Sequence, residues 1–311
     1  MATLIFKYVG ASYLERVFEL RNYVTLKCSL PKDFNDPYEL FLTVNYREKP
    51  EVLAFYADVV GDIPQVPVTC FSRSPAILPM WAHYAESLSG VVLAFDEEKL
   101  AASLTDVGFG DIDYRTKPDP DLTEELHRAY HIGKMRYLYF LRKGVFSSAY
   151  YSKAMHWSYE NERRMLLGEK NMRHSSSLLL ADVPHGCLTA IISGPRSSSK
   201  TLELVAEKCT AAKCRSYQLR IGRSTSDPYF VDDSGVAHIF KRQVLARAPK
   251  VCASCGEPVP AKAKTCSWCR ITNDHKIEAA QRNMFRVLAH YGKLEEYIAG
   301  MDEIGRGARR K

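Results

Sequence analysis

A chain of 311 residues with 46% hydrophobic and 25% charged positions has the composition of a globular protein, long enough for a main domain and an appendage. No apolar run reaches the roughly eighteen residues that a membrane-spanning helix needs. The start, Met1-Ala2-Thr3-Leu4-Ile5-Phe6-Lys7, lacks the basic and apolar regions of a signal peptide, so the expected compartment is the cytoplasm. Charge is uneven: residues 241–311 hold 15 Lys/Arg against 7 Asp/Glu, a net of +8, and residues 1–240 carry the remaining −1 of the total +7. A basic excess confined to the C-terminal piece points to a polyanionic or acidic partner for that piece, nucleic acid or an acidic protein.

In chain order, Leu4–Val9 has the pattern of a strand. Ser12–Leu20 is expected to be a helix, with Ser12 as N-cap and Glu15 completing a capping box. Tyr23–Cys28 reads as a strand, leading into the turn chemistry of Phe34-Asn35-Asp36-Pro37. Val66–Ser72 is a further strand, broken by Arg73-Ser74-Pro75. Ile77–Ser87 reads as a short helix offering Met80, Trp81 and Tyr84 to a core; Gly90 ends it, and Val91–Phe95 is an apolar run typical of a buried strand. Asp106–Asp121 has the Gly, Asp and Pro content of a loop. Leu122–Phe140 has helical periodicity, and Ser147–Met155 is a polar, tyrosine-rich approach to a charged segment that starts at Trp157. Arg173–Ser177 suits a hairpin loop, Leu188–Ser193 a strand, Leu202–Cys214 a helix and Ser216–Ile221 the last strand. Gly194-Pro195-Arg196-Ser197-Ser198-Ser199-Lys200-Thr201 lacks the second glycine of a phosphate loop, which leaves a serine-capped strand-to-helix turn. The main domain, residues 1–240, is therefore α+β with short strands and few long helices.

Trp157-Ser158-Tyr159-Glu160-Asn161-Glu162-Arg163-Arg164 concentrates charge between aromatics and an apolar exit. As an extended strand it turns Glu160, Glu162 and Arg164 to one face and Tyr159, Asn161 and Arg163 to the other. Two same-face carboxylates repel unless a cation, a substrate hydroxyl or water meets them. A solvated edge strand with Arg163 and Arg164 as ion-pair partners is one outcome; a site is the other.

Cys252-Ala253-Ser254-Cys255 and Cys266-Ser267-Trp268-Cys269 form two C-x-x-C knuckles. Four thiolates complete a tetrahedral Zn²⁺ shell with no open position, so the expected ion is structural, in a small ribbon-like module over residues 241–272. The other five cysteines are scattered and read as reduced thiols. Residues 273–300 carry an apolar stripe through Ile277, Met284, Val287, Leu288, Leu294 and Tyr297, read as one amphipathic helix that needs a surface to pack on. Residues 301–311 read as a basic, disordered tail.

Phe34-Asn35-Asp36-Pro37, Cys70-Phe71-Ser72, Met80-Trp81-Ala82-His83-Tyr84-Ala85, Gly90 and Trp157-x-Tyr159-Glu160-x-Glu162-x-Arg164 occur in that order. The series resembles a widespread bacterial family of unknown function with motifs FxDP, CFS, MWxHYA and WxYExExR, over roughly residues 4–225. The layout is also similar, more distantly, to ADP-ribosyltransferases, which carry a basic or aromatic residue on a first strand, a hydroxyl or aromatic residue on a middle strand and a glutamate, often E-x-E, on a later one. That resemblance implies a split sheet with short helices and an NAD⁺ substrate. It also implies Glu162 and Glu160 as catalytic carboxylates with Ser72 as strand hydroxyl, and Lys7, Tyr8, Phe71, Trp81, His83, Tyr84 and Tyr159 as the dinucleotide-binding set. The first-strand arginine of those enzymes is absent, since Val9 follows Tyr8. Arg73-Ser74-Pro75 through Met80 is similar to DNA-targeting transferase toxins, which implies a toxin- or defence-type effector with a cognate inhibitor protein. The acceptor would be nucleic acid or protein. The alternative is a binding module of the same fold without turnover. A nuclease would need Asp33, Asp36 and Asp96 around Mg²⁺, and no spacing supports that cluster.

Overall fold

The computed structural model of the chain describes residues 3–34, 43–61, 63 and 65–308. Asn35-Asp36-Pro37 of the first motif, and with it Asp36 of the acidic trio, lies outside the described residues. The chain divides into two compact units, one running to Ala248 and one starting at Pro249.

The first unit mixes α and β elements. β1 (Leu4–Val9) buries Ile5, Phe6 and Tyr8. The helix expected over Ser12–Leu20 shrinks to one 3-10 turn and the short α1 (Leu14–Val17). Neither half of the capping box is free to act: the Ser12 N–H donates to Glu86 Oε2 at 3.0 Å, and Glu15 pairs with Lys200 at 3.1 Å. β2 (Tyr23–Cys28), α2 (Pro50–Val60) and β3 (Val68–Ser72) follow. α3 (Leu78–Tyr84) stops because Glu86, Ser87 and Leu88 adopt φ of 49°, 54° and 71° and fold the chain back. Gly90 then passes so close to the Val9 carbonyl that a Cβ there would lie 2.3 Å from it. β4 (Val91–Asp96) is buried along its whole length, and Asp96 caps α4 (Glu97–Ala102) by accepting from the Glu98 and Lys99 N–H groups.

The expected loop over Asp106–Asp121 instead holds β5 (Val107–Asp111) and β6 (Asp113–Arg115). Its glycines are not turn residues: a Cβ on Gly110 would sit 2.1 Å from the Tyr151 ring, so the glycine makes room for an aromatic laid across the strand. The single helix expected over Leu122–Phe140 is two, α5 (Pro120–Ile132) and α6 (Met135–Tyr151), parted at Gly133 with φ 64°. β7 (Ser152–Ala154), β8 (Glu162–Leu167), the hairpin β9 (Arg173–Ser175) and β10 (Leu178–Pro184), and β11 (Leu188–Ser193) come next. α7 (Ser199–Ala212) is capped by Ser198, whose Oγ accepts from the Thr201 N–H at 3.1 Å, the serine cap that the sequence implies. β12 (Arg215–Arg220) is not the last strand; β13 (Tyr229–Asp232), β14 (Ala237–Lys241) and β15 (Val244–Arg247) extend the sheet up to the end of the unit.

Ten strands form one sheet in the order β15-β14-β13-β12-β11-β4-β1-β3-β8-β5, beside a three-stranded sheet β2-β10-β9 and a β6-β7 pair. Among the described residues only β11 and β12 run parallel in the large sheet, with α7 between them in sequence. One face packs Ile5, Phe71, Leu93, Phe95 and Met165 against Leu26 and Val183 of the smaller sheet and Val205 of α7. The other packs Phe6, Tyr8, Val92 and Ile192 against Trp81 and Phe230. Side chains of this size contribute about 1.5–3 kcal/mol each on burial, which makes the central strands a rigid platform. The platform has one weak seam. β1 meets β4 in six registered pairs and β3 meets β8 in five, whereas β1 meets β3 only at Phe6 and Ser72.

In the second unit the helix expected over 273–300 is three: α8 (Asn273–Arg282), α9 (Met284–His290) and α10 (Leu294–Ala308). Asn283 caps α9 and Gly292, at φ 66°, turns the chain into α10. The tail expected from residue 301 is helical as far as Ala308, since Met301 and Ile304 continue the apolar row of α10; residues 309–311 lie outside the described residues. No helix among the described residues is long and apolar enough to cross a membrane.

Candidate active site and candidate metal centre

Glu160 and Glu162 do not share one strand. Met155–Glu160 is a 3-10 helix, Asn161 takes a left-handed φ of 46°, and β8 begins at Glu162. β8 lies between β3 and β5 and both carboxylates are buried, so the solvated edge strand that the charges allowed does not occur. The turn brings both side chains onto Lys153 of β7, whose Nζ stands 2.6 Å from Glu160 Oε2 and 3.1 Å from Glu162 Oε2. Arg164, two residues along β8 on the same face, places Nε 2.8 Å from Glu162 Oε1 and donates Nη1 to the Tyr150 carbonyl at 2.8 Å. Tyr84 of α3 donates to Glu160 Oε1 at 2.7 Å, and the Glu162 N–H donates to the Tyr114 hydroxyl of β6 at 2.8 Å. Ser72 Oγ, fully buried, donates to the Glu160 carbonyl at 2.7 Å. Two carboxylates and two cations thus balance in a space where the side chains are between 1% and 10% exposed.

Such a cluster costs desolvation energy that its ion pairs only partly return. Burial raises the Glu162 pKa above the ordinary carboxylate range; Glu160 adds to the rise, and Lys153 and a hydrogen bond from Cys70 hold it back. Burial works against the Lys153 ammonium, but Glu162 and Glu160 outweigh it and the net shift is upward. Cys70, next to Glu162, is pushed well above the usual thiol range, first by burial and then by that carboxylate. A row of rings runs beside the cluster: Trp157 to Tyr159 at 6.2 Å, Tyr159 to His83 at 6.4 Å and His83 to Tyr84 at 6.2 Å, with the Lys153 ammonium 4.9 Å above Trp157. His83, inside the row, is exposed, which brings the row to the surface there.

The fold brings Glu160, Glu162, Ser72, Tyr84, Tyr159 and His83 to one place. Tyr8 lies on the same sheet face, its hydroxyl donating to the Ser74 carbonyl at 2.9 Å and its ring 5.5 Å from Trp81. Trp81 is wholly buried, its indole N–H donating to the Pro75 carbonyl at 2.7 Å, and serves as core. Lys7 and Phe71 belong to the opposite face. Phe71 packs 5.8 Å from Phe95, and Lys7 reaches across the β1–β3 seam to the Cys70 carbonyl and Thr69 Oγ1, both at 2.9 Å. Burial lowers the Lys7 pKa. Arg163 also points away, to Glu97 at 2.6 Å and Asp111 at 3.4 Å. Lys153 and Tyr114 belong to the site and neither stands out in sequence. The one sign of Lys153 is that it is the cation nearest upstream of the motif, in Ser152-Lys153-Ala154.

In the second unit the sulfur atoms of Cys252, Cys255, Cys266 and Cys269 all lie within 4.8 Å of one another, and all are free of disulfides. Cys255 Sγ and Cys266 Sγ are 3.9 Å apart; four zinc–sulfur bonds of about 2.3 Å set tetrahedral edges near 3.8 Å. The Cys266 N–H donates to Cys252 Sγ at 3.3 Å and the Cys269 N–H to Cys266 Sγ at 3.4 Å. Hydrogen bonds led by that Cys266 amide hold the Cys252 thiol down at about 6, while those with the neighbouring Cys266 and Cys255 sulfurs push the Cys269 thiol up. Gly256 takes φ 74° directly after the first knuckle. The donor set fits a metal such as zinc.

The model of a family described as protein of unknown function (DUF2971) matches residues 80–165. The DUF2971 match opens at Met80 in α3 and closes at Met165 in β8, and so takes in Tyr84, Lys153, Glu160, Glu162 and Arg164. No curated protein and no solved structure matches the chain.

Proposed function

We propose that the protein is an NAD⁺-dependent mono-ADP-ribosyltransferase whose reacting centre is the Glu160/Glu162 pair. The observation that carries the proposal is the strand order β1-β3-β8: Phe6 is in register with Ser72, and Ser72 with Glu162, so Tyr8, Ser72 and Glu162 stand on one face of adjacent strands. The single registered pair between β1 and β3 is the place where such a sheet would part into the two halves of the transferase fold. Cleavage of the nicotinamide–ribose bond passes through an oxocarbenium-like state, which a fixed carboxylate stabilises electrostatically. Glu162 fills that role, with Lys153 and Arg164 orienting it as its ion-pair partners. Glu160, on the same ammonium, takes the acceptor proton. Tyr159 and His83 offer ring faces to nicotinamide. Zn²⁺ in the four-cysteine site braces the C-terminal unit, whose positive excess would receive the acceptor, nucleic acid or an acidic protein.

One observation favours a non-catalytic binding module instead: both carboxylates already have cationic partners. Labelled NAD⁺ incubated with the protein plus nucleic-acid and protein acceptors separates the two. Consumption with label on an acceptor supports the transferase; a folded protein that leaves NAD⁺ intact supports the binding module and sinks the transferase. If the acceptor is nucleic acid, its affinity should fall roughly a hundredfold between 50 and 200 mM salt for about four neutralised phosphates. Truncation after Ala248 should abolish that binding, and unchanged affinity in the truncated protein would refute the role given to the second unit.

A further inference from the structure

Two of the cysteines outside the metal centre meet at the C-terminal end of α7. Lys213 takes a left-handed φ of 53° there, and its N–H donates to the Thr210 carbonyl at 3.3 Å. The Cys214 N–H donates back to the Cys209 carbonyl at 3.0 Å. In a helix stop of this kind the residue after the left-handed one lays its side chain against the residue whose carbonyl it bonds. That contact is commonly apolar; here both members are thiols. Cys209 is buried in the core, and Cys214 packs half-buried at its edge. The two side chains are hydrogen-bonded to each other, and Cys209 Sγ also reaches the Arg215 carbonyl at 3.5 Å. Donation from Cys209 lowers the Cys214 thiol below its ordinary value, against burial. The same bond raises the Cys209 thiol, and burial raises it further. Cysteines that only fill apolar space have both sulfurs pushed up by burial, as Cys28 and Cys187 do.

We infer that Cys209 and Cys214 form a redox-active dithiol, an oxidation site for hydroperoxides that closes to an intramolecular disulfide. Cys214, the more accessible sulfur, attacks one oxygen of hydrogen peroxide as the thiolate. The O–O bond breaks, and the leaving hydroxide takes up the proton that Cys214 released. The Cys209 sulfur then attacks the Cys214 sulfenic acid: the S–S bond forms, the S–O bond breaks, and the second hydroxide leaves as water with the Cys209 proton. Two thiols lose two electrons and the peroxide becomes two waters. The disulfide staples the end of α7 to the start of β12, closing the crossover from β11 at its exit.

The test treats the folded, zinc-loaded full chain with hydrogen peroxide, blocks the remaining thiols, and maps the peptides by mass. Wild type should give a Cys209–Cys214 cross-link that dithiothreitol reverses, formed at least about tenfold faster than any oxidation of Cys28 or Cys187. Cys209→Ser should stop at the sulfenic acid and take a dimedone label on Cys214. Cys214→Ser should leave Cys209 unlabelled. The wild-type map stands even if a variant folds poorly. A folded wild type without the cross-link, a cross-link that appears only in urea, or a dimedone label on Cys209 in place of Cys214 would each overturn the inference.

Discussion

Replacing Lys153 by methionine should lower the melting temperature of the first unit by about 10 °C, from a loss of about 3–5 kcal/mol when one partner of a buried ion cluster is removed. Methionine keeps much of the stem, so the loss is chiefly electrostatic: Glu160 and Glu162 remain buried with Arg164 as the one cation between them. The effect should depend on pH in a fixed direction. The folded-state pKa of Glu162 lies above its ordinary 4.5, so its contribution to stability is fully present below that value and lost as pH rises through the folded pKa. Removing the ammonium moves the folded pKa further up. The deficit of the variant should therefore be small in acid, where Glu162 takes up its proton, and largest at neutral and mildly alkaline pH. Lys153 itself stays charged throughout that window, because its folded pKa lies above its ordinary 10.5 and its stabilisation is lost only as pH rises through that higher value. Paired thermal melts in mild acid and mild base check this; a deficit equal at both, or larger in acid, would show that the cluster does not carry the charges assigned to it.

The C-terminal unit should depend on its metal altogether. Among the described residues from Pro249 onward only Cys252, Glu257 and Cys266 are buried, so no apolar core is present to hold the knuckles once the ion is gone. Structural zinc supplies about 10–16 kcal/mol of apparent binding energy in small modules, and here most of the folding energy of the unit has no other source. Elemental analysis should return close to one zinc per chain. Cys255→Ser or Cys269→Ser should each release it and expose the second unit to proteolysis, while residues up to Ala248 keep their melting transition. Wild-type protein purified without chelator and found free of zinc would contradict the assignment.

Where local chemistry sets local structure, the sequence was readable. β1, β2, β4 and β11 fall on apolar runs whose period matches a strand, and Ser198 caps α7 as its position in a serine run implies. The paired knuckles foretell the sulfur cluster because C-x-x-C spacing alone can put two thiolates on one ion. Long-range packing hid the rest. Gly108 and Gly110 read as loop until Tyr151 lies across them. The breaks at Gly133 and Gly292 depend on φ angles that an apolar stripe does not report. Glu160 and Glu162 read as neighbours on one strand, and they do converge, but through a 3-10 turn and a left-handed Asn161. Lys153 was silent because one lysine in a polar stretch has no period. Its role comes from the parallel pairing of β6 with β7, which sets Tyr114 beside it.

The measurement that bears most directly on the site is NAD⁺ turnover per folded molecule for wild type and Glu162→Gln, with folded fraction read by circular dichroism on the same samples. Glutamine keeps an oxygen for Arg164 but leaves that buried guanidinium without a full counter-charge, so a stability loss of about 1–3 kcal/mol is expected. At temperatures where both proteins are folded, the wild type should consume NAD⁺ and the variant should be slower by roughly two to three orders of magnitude, the scale for one preorganised electrostatic group. A wild type that leaves NAD⁺ untouched, or a variant whose turnover falls only in step with its folded fraction, would show that the buried carboxylates hold the fold together and do no chemistry.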